Sequence, residues 1–256
     1  GYHLLQSVFM LVDWHDTLHF ERRADGAISR EDLLAPLPED DLCLRAARAL
    51  QQATGTTQGA HIGVAKRLPA QAGMGGGSSD AATCLLALNR LWGLGLRRGE
   101  LEKIGLALGA DVPFFLRGRN AWVEGIGEQI TPIDLPPARF LVVKPDQGLD
   151  TAKIFSHPQL QRATKPAIVA GFAADPYDFG HNDLQPVAQG LCPGVSQALE
   201  WLQSQGLKAR MTGSGSAVFA WLPDGSTPSN PPAAWQSRIC SNLEAHPLVG
   251  WAASDN

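Results

Sequence analysis

Apolar positions along this chain switch between two spacings, and the switches mark its elements. Leu5, Val8, Met10 and Val12, then Leu18 and Phe20, alternate loosely with polar residues and predict two strands over 4–20 around the polar turn Asp13–Asp16. Asp25-Gly26 is a tight-turn signal. Residues 40–53 begin on acidic residues and carry helical spacing, broken by Gly55 and Gly59. Residues 60–67 alternate as a strand with Ile62 and Val64 on one face. Leu85, Leu88 and Leu91 then form a helical stripe that Gly93 stops, and a further helix over 99–108 ends at Gly109. Strands are predicted over 122–126, 140–144 and 217–222. Helices are predicted near 194–205, with Val195, Leu199 and Leu202 on one face, and over 233–244. Pro145, Pro158, Pro166 and Pro176 cluster between 145 and 180, which divides the chain into halves 1–145 and 146–256. Strand–strand–helix order without strict βαβ alternation predicts an α+β fold.

Composition narrows the partners. A chain of 256 residues with 44% apolar and 18% charged residues reads as an ordinary globular protein. Its net charge of −4 offers no broad basic surface for nucleic acid or an anionic membrane. No apolar run approaches the roughly 20 residues of a membrane span, and no signal peptide is visible, so a cytoplasmic location is expected. Cys43, Cys84, Cys192 and Cys240 are scattered and read as reduced, buried thiols; the histidines lack zinc spacing, and no protein metal cluster is expected.

The chemistry concentrates in Pro69-Ala-Gln-Ala-Gly-Met-Gly-Gly-Gly-Ser-Ser79. Gly73, Gly75, Gly76 and Gly77 permit positive φ and close approach of a ligand. The segment feeds a helix, whose unpaired N–H groups and dipole favour an anion such as a phosphate chain. It is not a Walker loop, because no lysine follows the glycines. Nor is it a dinucleotide fingerprint, because Ser78 holds the third glycine position. Ser78 or Ser79 could cap the helix or meet a phosphate or magnesium ion. Asp111, in Gly109-Ala-Asp-Val-Pro-Phe-Phe115, is the candidate catalytic base: an apolar setting would raise its pKa. An aspartate before Val-Pro is equally a helix N-cap, and both readings stand at this point.

The run from Pro69 through Asp80-Ala-Ala resembles the second motif of the galactokinase, homoserine kinase, mevalonate kinase and phosphomevalonate kinase superfamily. Gly1-Tyr-His-Leu-Leu-Gln-Ser-Val-Phe9 opens the chain before that run, and Gly109–Phe115, Glu124-Gly-Ile-Gly-Glu128, Asn182-Asp-Leu-Gln-Pro-Val-Ala188 and Met211-Thr-Gly-Ser-Gly-Ser-Ala-Val-Phe219 follow it in order. The ordered set is similar to the 4-diphosphocytidyl-2-C-methyl-D-erythritol kinase family. That resemblance implies a ribosomal-protein-S5-domain-2-like ATP-binding half and a ferredoxin-like second half. It implies ATP-dependent phosphorylation of the substrate's 2-hydroxyl in non-mevalonate isoprenoid synthesis, with Asp111 as base.

On the same resemblance, residues 69–79 (Pro69, Ala70, Gln71, Ala72, Gly73, Met74, Gly75, Gly76, Gly77, Ser78 and Ser79) hold the ATP phosphates. Mg2+ bridges phosphate oxygens while keeping most of its waters, so it needs few protein ligands. Tyr2, His3, Thr164 and Phe179 face the cytosine, and Gly213 and Ser214 approach phosphates or substrate. Asn182 and Asp183 are expected to hold turns through side-chain to backbone bonds. The expected partner is one small molecule, cytidine diphosphate methylerythritol, bound by a monomer or weak homodimer. Relatives carry an earlier Pro-x-x-Lys-x-Asn-Leu segment with a first strand and a lysine, so the chain is expected to be N-terminally incomplete. Two alternatives remain open: a homoserine- or mevalonate-type kinase, or a nucleotide-binding protein without turnover.

Overall fold

A computed structural model describes residues 5–162, 164, 167 and 169–254. In chain order the elements are β1 (Leu5–Phe9), β2 (Thr17–Arg23), β3 (Ile28–Asp32), α1 (Leu42–Thr54), β4 (Gly59–Ala65), α2 (Gly76–Leu91), α3 (Arg98–Leu108), α4 (Val112–Arg117), β5 (Ala121–Gly125), β6 (Gln129–Pro132), β7 (Arg139–Lys144), α5 (Thr151–Phe155), α6 (Val169–Ala174), α7 (Gln185–Leu191), α8 (Pro193–Ser204), β8 (Ala209–Met211), β9 (Val218–Leu222) and β10 (Gln236–Ser241).

Helices and strands mix in the α+β manner the sequence implies. Three sheets form, ordered β1-β5-β6, β2-β4-β3 and β10-β7-β9-β8. β4 is central, antiparallel to β2 and parallel to β3. Its near-complete burial explains why Gly-Ala-His-Ile-Gly-Val-Ala carries so little charge. The parallel β3–β4 pair is linked through α1, since parallel neighbours need a crossover. The Asp41 side chain accepts a bond from the Leu44 amide to start α1, and Gly55 ends it in the left-handed region, both as local capping chemistry dictates.

α1 and α2 pack over β4. Leu50, Ile62, Val64, Leu85 and Leu88 are fully buried in one cluster with Leu101 and Val112. Each such Leu or Ile contributes about 1.5–3 kcal/mol relative to exposure. The α2 stripe is thus the clamp that seats its own N-terminus, and the glycine-rich loop before it, on the sheet.

The four-stranded sheet is antiparallel throughout. Leu141 and Val143 of β7 face α7 and α8 with Val187, Val195, Leu199 and Leu202. Phe140 and Val142 face the other way, with Trp14, Leu68, Ala72 and Ala217. That second face packs the four-stranded sheet against Trp14, Leu68 and Ala72 from the start of the chain.

One sequence expectation fails here. Residues 233–244 hold β10, not a helix. β10 is an edge strand paired with β7 from Gln236–Lys144 to Ser241–Arg139; its state is set by this distant partner rather than by local spacing. β3, β6 and β8 were not anticipated, being three to five residues long. Among the described residues no helix is long and apolar enough to cross a membrane.

Candidate active site

The glycine-rich loop leaves β4 and curls through three left-handed positions, at Gln71 (φ 52°), Gly73 (φ 67°) and Gly75 (φ 68°). Gly75 is the N-cap of α2 and makes no side-chain cap bond. Of the two readings open for Ser78 and Ser79, the cap is not realised: the left-handed Gly75 starts the helix before either serine, and both lie inside its first turn. Their hydroxyls are not spent on capping. The amides of 76–78 begin the helix and so have no partner four residues back within it.

A second glycine-rich segment braces the loop. The Ser216 amide donates to the Gln71 carbonyl (3.0 Å) and the Ala217 amide to that of Ala72 (3.2 Å). The Thr212 hydroxyl donates to the Gly73 carbonyl (3.1 Å). Gly73 and Gly213 approach so closely that a Cβ on Gly213 would stand 2.7 Å from the Gly73 oxygen. Asn182 holds this brace: its amide donates to the carbonyls of Met211 (2.9 Å) and Gly213 (2.8 Å), and its oxygen accepts from the Leu184 amide. The turn-holding reading of Asn182 stands. Ser214 is half-buried and bonded to the Thr151 hydroxyl (2.7 Å).

Asp111 lies beside this loop. Gly109 is placed so that its Cβ would be 3.7 Å from the Ser78 hydroxyl, and one on Gly75 would be 2.9 Å from the Phe115 ring. The turn before α4 therefore runs along the first turn of α2. Asp111 occupies the N-cap position of α4 yet makes no side-chain cap bond. Of the two sequence readings of Asp111, the side-chain cap is not made, which leaves the carboxylate unspent by the helix. Burial pushes its pKa above the ordinary 3.8.

Of the other candidates, Pro69 and Ala72 are buried and shape the loop, whereas Ala70, Gln71 and Gly77 are exposed. Met74 packs on the cluster around Trp14 and Ala217. Thr164 donates to Asp183 (2.7 Å), which also faces His181 (2.8 Å). Phe179 meets Phe172 edge-on at 6.1 Å, and Phe172 lies 6.4 Å from Trp122. The Ala167 amide donates to Gln6 (2.7 Å), tying this segment to β1. Tyr2 and His3 lie outside the described residues.

Sequence reasoning missed one feature. Lys66, just past β4, bonds Asp16 (2.6 Å) and Asp80 of α2 (2.5 Å). A Cβ on Gly76 would be 3.3 Å from the Lys66 ammonium, so the cation sits under the start of α2. Burial, with Asp16 adding to it, pushes the Asp80 carboxyl up to about 7 against the pull of Lys66. The sole sequence signal was a lysine at the end of the strand preceding the loop.

Oxygen donors for a magnesium ion are at hand. Ser78 and Ser79 offer hydroxyls at the loop, a donor type suited to a hard cation that keeps its waters. Asp16 and Asp80 do not fit that task while Lys66 holds them.

Comparisons with known proteins give the family. Residues 41–119 match the family described as GHMP kinases N terminal domain, and residues 168–239 match GHMP kinases C terminal. The chain is 66% identical to 4-diphosphocytidyl-2-C-methyl-D-erythritol kinase of Variovorax paradoxus (strain S110), covering 98% of this chain and 91% of that protein. It is 66% identical to the protein of the same name from Paracidovorax citrulli (strain AAC00-1), covering 100% of this chain and 91% of that one. A crystal structure of 4-(cytidine 5'-diphospho)-2C-methyl-D-erythritol kinase superposes with a TM-score of 0.77 at 31% identity, over 94% of this chain and 91% of that one. A homoserine kinase from Cytophaga hutchinsonii shares the fold, with a TM-score of 0.68 at 16% identity. By motif order, sequence identity and fold together, the chain belongs to the GHMP kinases and, among them, to the 4-diphosphocytidyl-2-C-methyl-D-erythritol kinase family.

Proposed function

We infer that this chain phosphorylates the 2-hydroxyl of 4-diphosphocytidyl-2-C-methyl-D-erythritol with ATP, the reaction of non-mevalonate isoprenoid precursor synthesis. Its relatives' shared name supports that substrate over homoserine or mevalonate. One observation carries the site assignment: the uncapped, desolvated Asp111 lies beside an α2 N-terminus whose amides and serine hydroxyls are unspent.

The chemistry follows from that pairing. Phosphoryl transfer asks chiefly for positioning and charge neutralisation. Amides of the 73–79 loop and the dipole of α2 hold the triphosphate. The substrate hydroxyl forms the new O–P bond at the γ-phosphorus while the bond to the ADP oxygen breaks. Asp111 accepts the hydroxyl proton, for which a raised pKa is an advantage. Mg2+, when bound at Ser78 or Ser79, would neutralise charge on the phosphate oxygens. Thr164 and Phe179 would meet the cytosine; Tyr2 and His3, given the same role by the resemblance, lie outside the described residues. Gly213 contributes by bracing Gly73, and Ser214 by facing the substrate. We further propose that the protein acts in the cytoplasm as a monomer or weak homodimer.

The test is a coupled ADP-release assay with three acceptors: the cytidine diphosphate alcohol, homoserine and mevalonate. Turnover confined to the first is expected. Preference for either other alcohol would overturn the substrate assignment.

A further inference from the structure

We propose that Lys66, clamped between Asp16 and Asp80, is a positioning residue that fixes the first turn of α2 against the end of β4 and so aims the phosphate-holding amides. The proposal rests on the reading of residues 73–79 as the triphosphate site.

The three side chains come from three places: the turn before β2, the exit of β4 and the second turn of α2. All are withdrawn from solvent, with side-chain exposures of 2% for Asp16, 12% for Lys66 and 8% for Asp80. Asp16 divides its oxygens. One takes the ammonium at 2.6 Å, and the other accepts the backbone amides of Arg67 (2.5 Å) and Leu68 (2.8 Å). It therefore pins the chain where it leaves the strand and enters the loop. Asp80 takes the same ammonium at 2.5 Å from the helix side. One cation thus ties the entry of the loop to its exit, and the ammonium lies against Gly76, the first residue of the helix.

The arrangement suits positioning better than direct phosphate contact. Both bonds of Lys66 hold it beneath the loop, and releasing it would leave two buried carboxylates facing each other. Removing one member of such a buried group leaves the others uncompensated, which is strongly destabilising. The loop itself has few side chains with which to hold a shape, because its glycines make none. Rigid support from below is what a site built of main-chain amides requires.

The test compares Asp80→Asn, Asp80→Leu and Lys66→Met in the full chain. ADP affinity and affinity for the cytidine diphosphate alcohol are measured by calorimetry, alongside Tm. Asp80→Asn keeps an acceptor for Lys66 and should stay within about twofold of wild type for ADP, whereas Asp80→Leu should weaken ADP about tenfold or more. Affinity for the alcohol should hold in both. Lys66→Met should follow Asp80→Leu; if it fails to fold, the two Asp80 variants decide. Wild-type ADP affinity in folded Asp80→Leu overturns the clamp alone, as does equal weakening of both ligands in step with Tm. Absence of ADP binding by the wild-type protein overturns the clamp and the site reading together.

Discussion

Gly75 faces the edge of Phe115 with no space for a side chain: a Cβ there would stand 2.9 Å from the ring's Cζ and 3.0 Å from Cε2. This contact sets the gap between the glycine-rich loop and the segment bearing Asp111. Gly75→Val forces a β-branched residue into φ 68° and into that ring. Overpacking of this kind costs about 1–3 kcal/mol, which the loop would relieve by moving. The expected result is a KM for ATP raised on the order of tenfold. An unchanged KM would remove Gly75 from the phosphate site.

Asp111→Asn separates a base from a cap. Turnover should fall about 10²-fold or more, the scale of losing a positioned base, while ADP affinity holds. The folded state raises the pKa of this group, so its charged form opposes folding at neutral pH. The neutral amide should therefore leave Tm at pH 8 equal to or above wild type. A fall in Tm with near-normal turnover would mean the side chain serves the helix instead.

Asp80 gives a pH signature. Its pKa rises from 3.8 to about 7 on folding. Stability from this group is fully present below pH 3.8 and is lost as pH climbs through 7. Lys66 and Asp16 are the charged groups facing it; Cys84, one turn further along α2, stays a thiol because burial lifts its pKa well above the usual value. The difference in Tm between Asp80→Asn and wild type should therefore grow from pH 4 to pH 7 and level off above. A difference that is flat with pH would show that Asp80 is ionised throughout.

Gly73→Ala tests the brace between the two glycine-rich segments. A Cβ at residue 73 would lie 2.6 Å from the Gly215 amide nitrogen, a backbone atom that cannot swing aside. The variant should lose ATP affinity and show a lower Tm together, read by nucleotide titration and thermal melts. Wild-type values for both would mean the brace yields without cost.

Elements with local causes were legible in the sequence. Asp41 and Gly55 bracket α1 through their own caps, and Leu85 and Leu88 mark the buried face of α2. The loop and Asp111 were legible because their residue types carry the chemistry in one short stretch each. β10 was not, since its strand state comes from pairing with β7 about a hundred residues earlier. The Asp16–Lys66–Asp80 group was invisible for the same reason: its members are 50 and 14 positions apart, and no spacing rule joins them. The sequence left a cap open at Ser78 or Ser79, and left-handed Gly75 rules it out by starting the helix earlier.

The seam between residues 71–73 and 212–217 joins residues as much as 145 positions apart. A nascent polypeptide released no further than α8 therefore lacks the 212–217 side of the brace around residues 71–73. On the proposed site, capture of ATP would wait until residues 212–217 have been made and have met the loop. Ligand-linked protection then acts on the whole molecule at once, because the bound nucleotide favours only the assembled form.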